Sequence, residues 1–286
     1  MPIVEEARAK INLALHVIGR RPDGYHDLDM LVAFADTGDT IALAPSDRDR
    51  LDIDGPMAGD IGAGADNLVM RALRGFRDLS GWTDPLAIQL TKRLPVASGI
   101  GGGSADAAAT LRGLCRLTDR SPDDPAIAAL ARSLGADVPM CLVSRPARAA
   151  GIGDHIIPTA GDLTFGLLLV NPRVGVSTPA AFQRLERRDN SPLPALPALD
   201  KVADLATFLA IETRNDLERP ARAIAPVIAD VLAAIAGLPG LRLTRMSGSG
   251  ATCFGLFDDR SAADAAAALL ATQCPDWWIQ PATSAF

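Results

Sequence analysis

The stretch Pro95-Val96-Ala97-Ser98-Gly99-Ile100-Gly101-Gly102-Gly103-Ser104-Ala105-Asp106-Ala107 is a glycine-dense turn that feeds directly into an alanine-rich segment. Four glycines in five positions give up the most backbone freedom on ordering, so they make neither a core nor a good strand or helix interior. A polyanion repays that cost. Without Cβ atoms the backbone comes close, its N–H groups point at the charge, and the positive end of the following helix adds to the field. Ser104 stands where the helix is expected to begin, and Ala105, Ala107, Ala108, Ala109, Leu111, Leu114 and Leu117 continue it. The stretch is a phosphate cradle or, in the plainer alternative, a tight turn capped by a serine. It fits neither G-x-x-x-x-G-K-[ST] nor G-x-G-x-x-G.

A chain of 286 residues, 48% of them hydrophobic, has material for two medium domains. The net charge of −6, the pI near 5.1 and the lack of a basic run argue against a nucleic-acid partner. Cys115, Cys141, Cys253 and Cys274 are far apart and unpaired in motif, and three histidines are too few for an evident zinc site, so reduced thiols are expected. The first residues lack a basic-then-apolar leader and no apolar run reaches spanning length, which leads to the expectation of a soluble, cytoplasmic chain with no membrane partner.

Residues 8–17 alternate, with Arg8, Lys10, Asn12 and His16 on one face, and predict a half-buried strand whose polar face lines a site or meets solvent. Residues 19–24 form a turn, after which Tyr25, the single tyrosine, and His26 either stack on a planar ligand or pack under the loop. Short strands are expected at 28–35, 40–44 and 51–53, then a helix capped by Asn67 and stopped at Gly81, then a strand at 86–91 that ends at Lys92. Lys92 meets phosphate or solvent. Ser121 is read as the cap of a further helix that stops at Gly135. Beyond it Asp137 is hydrogen-bonded in a turn or held for chemistry.

Residues 149–158 read as a crossover, with a domain boundary near Gly161 that divides the chain into 1–160 and 161–286. A buried strand at 165–170 precedes a short helix with Thr178 as cap and Pro179 at its first position. Residues 186–199 read as a surface excursion, and helices at 202–211 and 221–236 follow. A strand at 241–246, a small-residue loop at 247–250, a strand at 252–257, a helix at 262–271 and a strand at 277–279 complete an α+β sandwich.

Five motifs together resemble the GHMP kinase superfamily: Ala9-Lys10-Ile11-Asn12-Leu13, Pro22-Asp23-Gly24-Tyr25-His26, the loop 99–104, Gly135-Ala136-Asp137-Val138-Pro139, and Ser247-Gly248-Ser249-Gly250-Ala251. Ile100 stands for the usual Leu, and Ala105-Asp106 for the more common Ser-Asn pair. Within the superfamily the chain is most similar to the branch that phosphorylates the 2-hydroxyl of 4-diphosphocytidyl-2-C-methyl-D-erythritol in non-mevalonate isoprenoid synthesis.

The resemblance implies a two-domain α+β GHMP kinase fold, its N-terminal domain like ribosomal protein S5 domain 2 and its C-terminal domain ferredoxin-like, with ATP and Mg²⁺ as cofactors. It implies Lys10 and Asp137 as the catalytic pair, and Asn12, Tyr25, His26, Thr178 and Phe182 as substrate contacts. Because Tyr25 is the single tyrosine, set after a rigid turn, and Phe182 sits on a capped helix, the two are expected to stack on opposite faces of a cytosine. It places ATP on Asn67, Lys92, Pro95, Ser98, Gly99, Gly101, Gly102, Gly103, Ser104 and Ala105. A sister kinase for mevalonate or homoserine has no need of the Pro-Asp-Gly-Tyr-His stretch. A silent nucleotide sensor has no need of both Lys10 and Asp137, and an S5-like RNA-binding protein requires a basic surface.

Overall fold

Strand β4 (Leu86–Thr91) delivers the chain to the glycine-rich stretch and buries Leu86, Ile88 and Leu90 on one face, as the period of two requires. The computed structural model describes residues 1–59, 61–159 and 161–286. Strand β2 (His26–Pro45) runs antiparallel to β4 with Leu43 opposite Ile88, and β3 (Arg50–Asp54) runs parallel on the other side. Strand β1 (Ile3–Arg20) pairs with β2.

The chain divides into two compact units, both discontinuous. The first holds Met1–Ala9, Gly38–Val96 and Gly101–Ser144; the second holds Lys10–Thr37, Ala97–Ile100 and Arg145–Phe286. This partition differs from a single cut between 160 and 161. The strands β1 and β2, 18 and 20 residues long, each pass from one unit into the other, and composition does not signal such a crossing. Residue 160, where the expected cut falls, lies outside the described residues.

Strand β2 joins the two short strands expected at 28–35 and 40–44. Gly38 does not turn the chain there; a Cβ at this position would fall 2.3 Å from the Ala7 carbonyl oxygen, so the glycine admits β1 against β2. In the first unit, helix α1 (Leu68–Ser80) is capped by the Asn67 side chain and ends at Gly81 in the left-handed region, as expected. Helix α2 (Gly102–Leu117) buries Ala105, Ala107, Ala108, Ala109, Leu111 and Leu114. Gly113 lets it lie on β2, since a Cβ would sit 2.5 Å from Leu43 Cδ1. Helix α3 (Pro125–Leu134) takes Asp124 as its cap, where Ser121 was expected; Ser121 Oγ instead accepts from Asp123 N in the preceding turn. A short helix α4 (Val138–Val143) follows where the sequence reads only a turn beyond Gly135; Pro139 falls in its first turn, a position that proline favours.

In the second unit the expected crossover is a hairpin, β5 (Ala147–Gly151) with β6 (His155–Pro158), and β5 pairs with β2. A four-stranded antiparallel sheet has the order β10-β7-β9-β8, from β7 (Thr164–Asn171), β8 (Leu243–Met246), β9 (Cys253–Phe257) and β10 (Trp278–Ala285). The apolar run of β7 is buried on both faces. Pro281, which cannot donate to a ladder, sits on the edge strand β10. Around this sheet are α5 (Thr178–Gln183), α6 (Val202–Glu212), α7 (Glu218–Ile224), α8 (Val227–Ala236) and α9 (Arg260–Gln273). The single helix expected at 221–236 is two, broken before Pro226.

The central part of β1 is not half-buried but buried on both faces: Lys10, Asn12 and His16 are enclosed along with Ile11, Leu13 and Leu15. His16 Nδ1 lies 3.0 Å from the Ser191 carbonyl and Nε2 accepts from Arg214 N, which assigns this histidine to structure. The excursion at 186–199 is stitched down by such bonds. Leu193 is buried, its N–H donates to Asp29, and Arg148 donates both to Asp29 and to the Leu193 carbonyl. Among the described residues no helix is long and apolar enough to cross a membrane.

Gly38→Ala is expected to lower the unfolding free energy by about 1–3 kcal/mol, as overpacked sites do. Urea denaturation measures it, and an unchanged midpoint would mean that β1 and β2 separate freely there.

Candidate active site

The second small-residue loop is the bed on which the first one rests. Ser247 Oγ accepts from Asn12 N and donates to the Gly99 carbonyl, each at 3.0 Å. Thr252 N donates to the Ser98 carbonyl and Lys10 N to the Ile100 carbonyl. A Cβ on Gly99 would fall 2.5 Å from the Ser247 carbonyl oxygen, and one on Gly248 would fall 2.6 Å from that of Gly99. Both glycines also have positive φ, +76° and +54°. Neither loop tolerates side chains at this contact. Asn215 holds the bed from below, its Nδ2 donating to the Met246 and Gly248 carbonyls.

The expected substrate residues all belong to the second unit. Asn12 is fully buried; its Nδ2 reaches Met30 Sδ at 3.3 Å and its Oδ1 has no partner. The His26 ring stacks on Phe182 at 4.7 Å and 20°, and its Nε2 also has no partner. Burial, then Arg188 and Arg20, lower the His26 pKa, which keeps the ring neutral near pH 7. Buried polar atoms without partners cost free energy, and two of the expected substrate residues carry one.

The structure changes one detail. Ser177, not Thr178, caps α5, which leaves the Thr178 hydroxyl to meet Ser249 Oγ at 2.8 Å. The His26 ring covers one face of Phe182, and Tyr25 is 59% exposed after a turn closed by Arg21 N to the Tyr25 carbonyl.

In the first unit, α2 is capped by Gly101 with φ +67° rather than by Ser104, which lies in the first turn. Ala105 N donates to the Gly101 carbonyl. Pro95 and Ser98 are buried and Gly103 is exposed. Lys92 is neither solvated nor turned to the loop surface. Its Nζ donates to Asp106 Oδ2 at 2.7 Å and to Asp39 Oδ2, and Asp39 Oδ1 accepts from Arg93 N and Leu94 N. A Cβ on Gly102 would sit 3.3 Å from Lys92 Nζ. Burial works against the Lys92 charge, yet Asp106 and Asp39 outweigh it and raise its pKa. Burial, despite Lys92 and with Asp39 adding to it, pushes Asp106 up to about 7.

Asn67 spends its side chain on structure: Oδ1 accepts from Val69 N and Nδ2 donates to the Gly62 carbonyl, both at 2.9 Å. Asn67, Lys92 and Gly103 nonetheless line a cavity of about 120 Å³ together with Leu68, Val96 and Asp106. Asp106, quoted in the sequence only as a departure from the family pattern, carries the unpartnered atom there, Oδ1. Its signal in the sequence is an acidic residue inside a run of otherwise apolar, buried helix positions.

Asp137 stands at the start of α4, half-buried, its carbonyl accepting from Cys141 N and its side chain making no cap bond. A carboxylate ahead of a helix start is electrostatically favoured, which replaces the conflict expected from the helix end before it. Lys10 is buried in the second unit and Asp137 lies in the first. Among the described residues no group of three or more His, Cys, Asp or Glu is placed to hold a metal ion.

Asp106 has a folded-state pKa above its ordinary 3.8, so it costs nothing below about pH 4, where both states are protonated, and destabilises the fold as pH rises towards about 7. Asp106→Asn removes that dependence. The variant is expected to gain stability relative to the parent between pH 5 and pH 8 in urea unfolding; a constant difference would show an ordinary carboxylate.

The profile of the GHMP kinases N terminal domain matches residues 67–145, and that of the GHMP kinases C terminal domain matches 195–276. The chain is 53% identical over 281 residues to the 4-diphosphocytidyl-2-C-methyl-D-erythritol kinase of Cereibacter sphaeroides, which covers 98% of each chain. It is 51% identical over 280 residues to the kinase of the same name from Rhizobium johnstonii, covering 97% of this chain and 92% of that one. The crystal structure of a 4-(cytidine 5'-diphospho)-2C-methyl-D-erythritol kinase superimposes with a TM-score of 0.79 at 33% identity, covering 99% of this chain and 100% of the other.

Proposed function

The chain belongs to the GHMP kinases, in the family of the 4-diphosphocytidyl-2-C-methyl-D-erythritol kinases, and we propose that it transfers the γ-phosphate of ATP to the 2-hydroxyl of 4-diphosphocytidyl-2-C-methyl-D-erythritol. The reaction serves non-mevalonate isoprenoid synthesis, in the cytoplasm. The observation that carries the substrate is the neutral His26, stacked on Phe182 with Nε2 unpartnered: a cytosine edge offers both a donor amine and acceptors to such a nitrogen. Asn12 Oδ1 takes a second polar group of the alcohol, the Thr178 hydroxyl a third, and Tyr25 closes over the base from its exposed turn.

The N–H groups of 101–104 and the start of α2 hold the ATP phosphates, with Pro95, Ser98, Gly99 and Ala105 shaping the loop. Phosphoryl transfer needs an in-line acceptor, charge neutralisation and a proton acceptor, and little covalent work from the protein. Asp137 takes the proton of the 2-hydroxyl, and the Lys10 ammonium offsets charge on the phosphoryl oxygens. The Ser104 hydroxyl would offer Mg²⁺ one hard oxygen donor beside the phosphates and waters, and the ion would supply further neutralisation of the phosphates. Lys92 serves this site through Asp39 and Asp106. The inherited domains are 1–160 and 161–286, a division supported by one family profile falling in each half.

Purified protein with ATP, Mg²⁺ and the cytidine alcohol is expected to yield the phosphomonoester by ³¹P NMR; turnover of mevalonate or homoserine in its place would move the chain to a sister branch. Asp137→Asn is expected to cut kcat by about 10²-fold or more with the KM for ATP unchanged. A loss under about threefold, at unaltered melting temperature, would return Asp137 to the helix start alone.

A further inference from the structure

Beyond α5 another cavity, of about 510 Å³, opens between residues 184–190 and the start of α7, with every lining residue in the second unit. It contains none of the residues given above to ATP or to the alcohol. Its floor is apolar where Leu185 and Pro220 are buried, and Ala223, one turn beyond Arg219, is too small to close it.

Arginines dominate the charged groups around it. Segments 184–190 and 214–222 hold six arginines and four carboxylates, a local positive excess in a chain whose net charge is −6. Each of those carboxylates is taken: Glu186 by Arg219 at 2.7 Å, Asp189 by Arg187 at 3.0 Å, Asp216 by Arg214 at 2.7 Å and Glu218 by Arg222 at 4.0 Å. Arg188 donates to the Gln183 carbonyl. Among the described residues, Arg184 is the one of the six whose guanidinium has no partner, and it lines the cavity. The polar floor is spent on protein. Asn215 donates to the Met246 and Gly248 carbonyls and accepts from Leu217 N, while Asp216 also accepts from Val17 N and Asn190.

We propose that this cavity is a binding site for an organic diphosphate, held by Arg184 and Arg187 on one wall and by Arg219 on the other. Guanidiniums on two walls suit an anion with oxygens to offer both ways, and their planar forks match phosphoryl oxygens. The volume is larger than a bare phosphate fills, and the apolar floor suits a short organic tail. The Glu186–Arg219 pair joins the two walls, and both it and the Arg187–Asp189 pair lie in solvent, where such bridges contribute little. A phosphoryl oxygen therefore replaces Glu186 on Arg219 at small cost.

Backbone amide NMR on the full chain tests this with three probes: n-butyl diphosphate, inorganic pyrophosphate and glutarate. The butyl diphosphate is expected to give saturable shifts at 184–190 and 214–223, whatever it does at 99–106, and to bind more tightly than either other probe by about threefold or more, as a buried alkyl tail requires. Arg184→Glu and, separately, Arg219→Gln change exposed side chains and are each expected to weaken those shifts by about tenfold or more, leaving any shifts at 99–106 as they were. Shifts confined to 99–106, or to 25–26 and 178, would give the diphosphate to the ATP loop or to the alcohol site and overturn the proposal. Undiminished binding in both variants would overturn it as well. Pyrophosphate or glutarate binding as tightly as butyl diphosphate would replace the organic diphosphate by a bare anion or a dicarboxylate.

Discussion

One ammonium group governs the approach to the glycine-rich loop. Lys92 Nζ takes Asp39 from β2 on one side and Asp106 from α2 on the other, and Asp39 also accepts the N–H groups of Arg93 and Leu94. The chain is therefore fixed where it leaves β4 and again where α2 begins, and the residues between are held at both ends. Such a cluster is not a source of stability in itself, because desolvating three charges costs about what their attraction returns. Burial, with Asp39 adding to it, raises Asp106 although Lys92 pulls the other way. What it supplies is geometry: one buried group holds the backbone just before the glycine-rich loop and the first turns of the helix after it.

The second constraint is steric. Gly99 and Gly248 each exclude a side chain because the two small-residue loops touch backbone to backbone, and the Ser247 hydroxyl joins them to Asn12 on β1. The Ser247 hydroxyl thus ties the backbone of Asn12 to that of Gly99 within the second unit. The glycines of the two motifs have different reasons to be there. Gly99 and Gly248 serve this contact, Gly102 clears Lys92, and Gly103 opens the cavity wall.

The elements set by local pattern were legible from the sequence: α1 with its Asn67 cap and Gly81 stop, β4, β7, and the glycine loop opening α2. Long-range packing was not. Gly38 falls between two expected strands, yet it lies inside one strand and admits another beside it; Asp137 reads as part of a turn, yet it stands at the start of a helix; the polar residues of β1 read as one solvated or site-lining face, yet segments distant in sequence bury them. Of the site, the motif residues were nameable because their types are unusual in their places. The commitment of Lys92 and Asn67 to protein partners, and the free oxygen of Asp106, depend on side-chain distances that no spacing encodes.

The role of Lys92 as a clamp is tested most directly by hydrogen exchange on Lys92→Met, read at the amides of 99–106 and at those of β7 and β9 with and without a non-hydrolysable ATP analogue. The account predicts exchange at 99–106 faster by about tenfold or more in the free variant, an opening easier by ~1.4 kcal/mol, with the sheet amides unchanged. Unaltered exchange at 99–106, together with lost nucleotide affinity, would contradict it and make Lys92 a direct ligand of the phosphates.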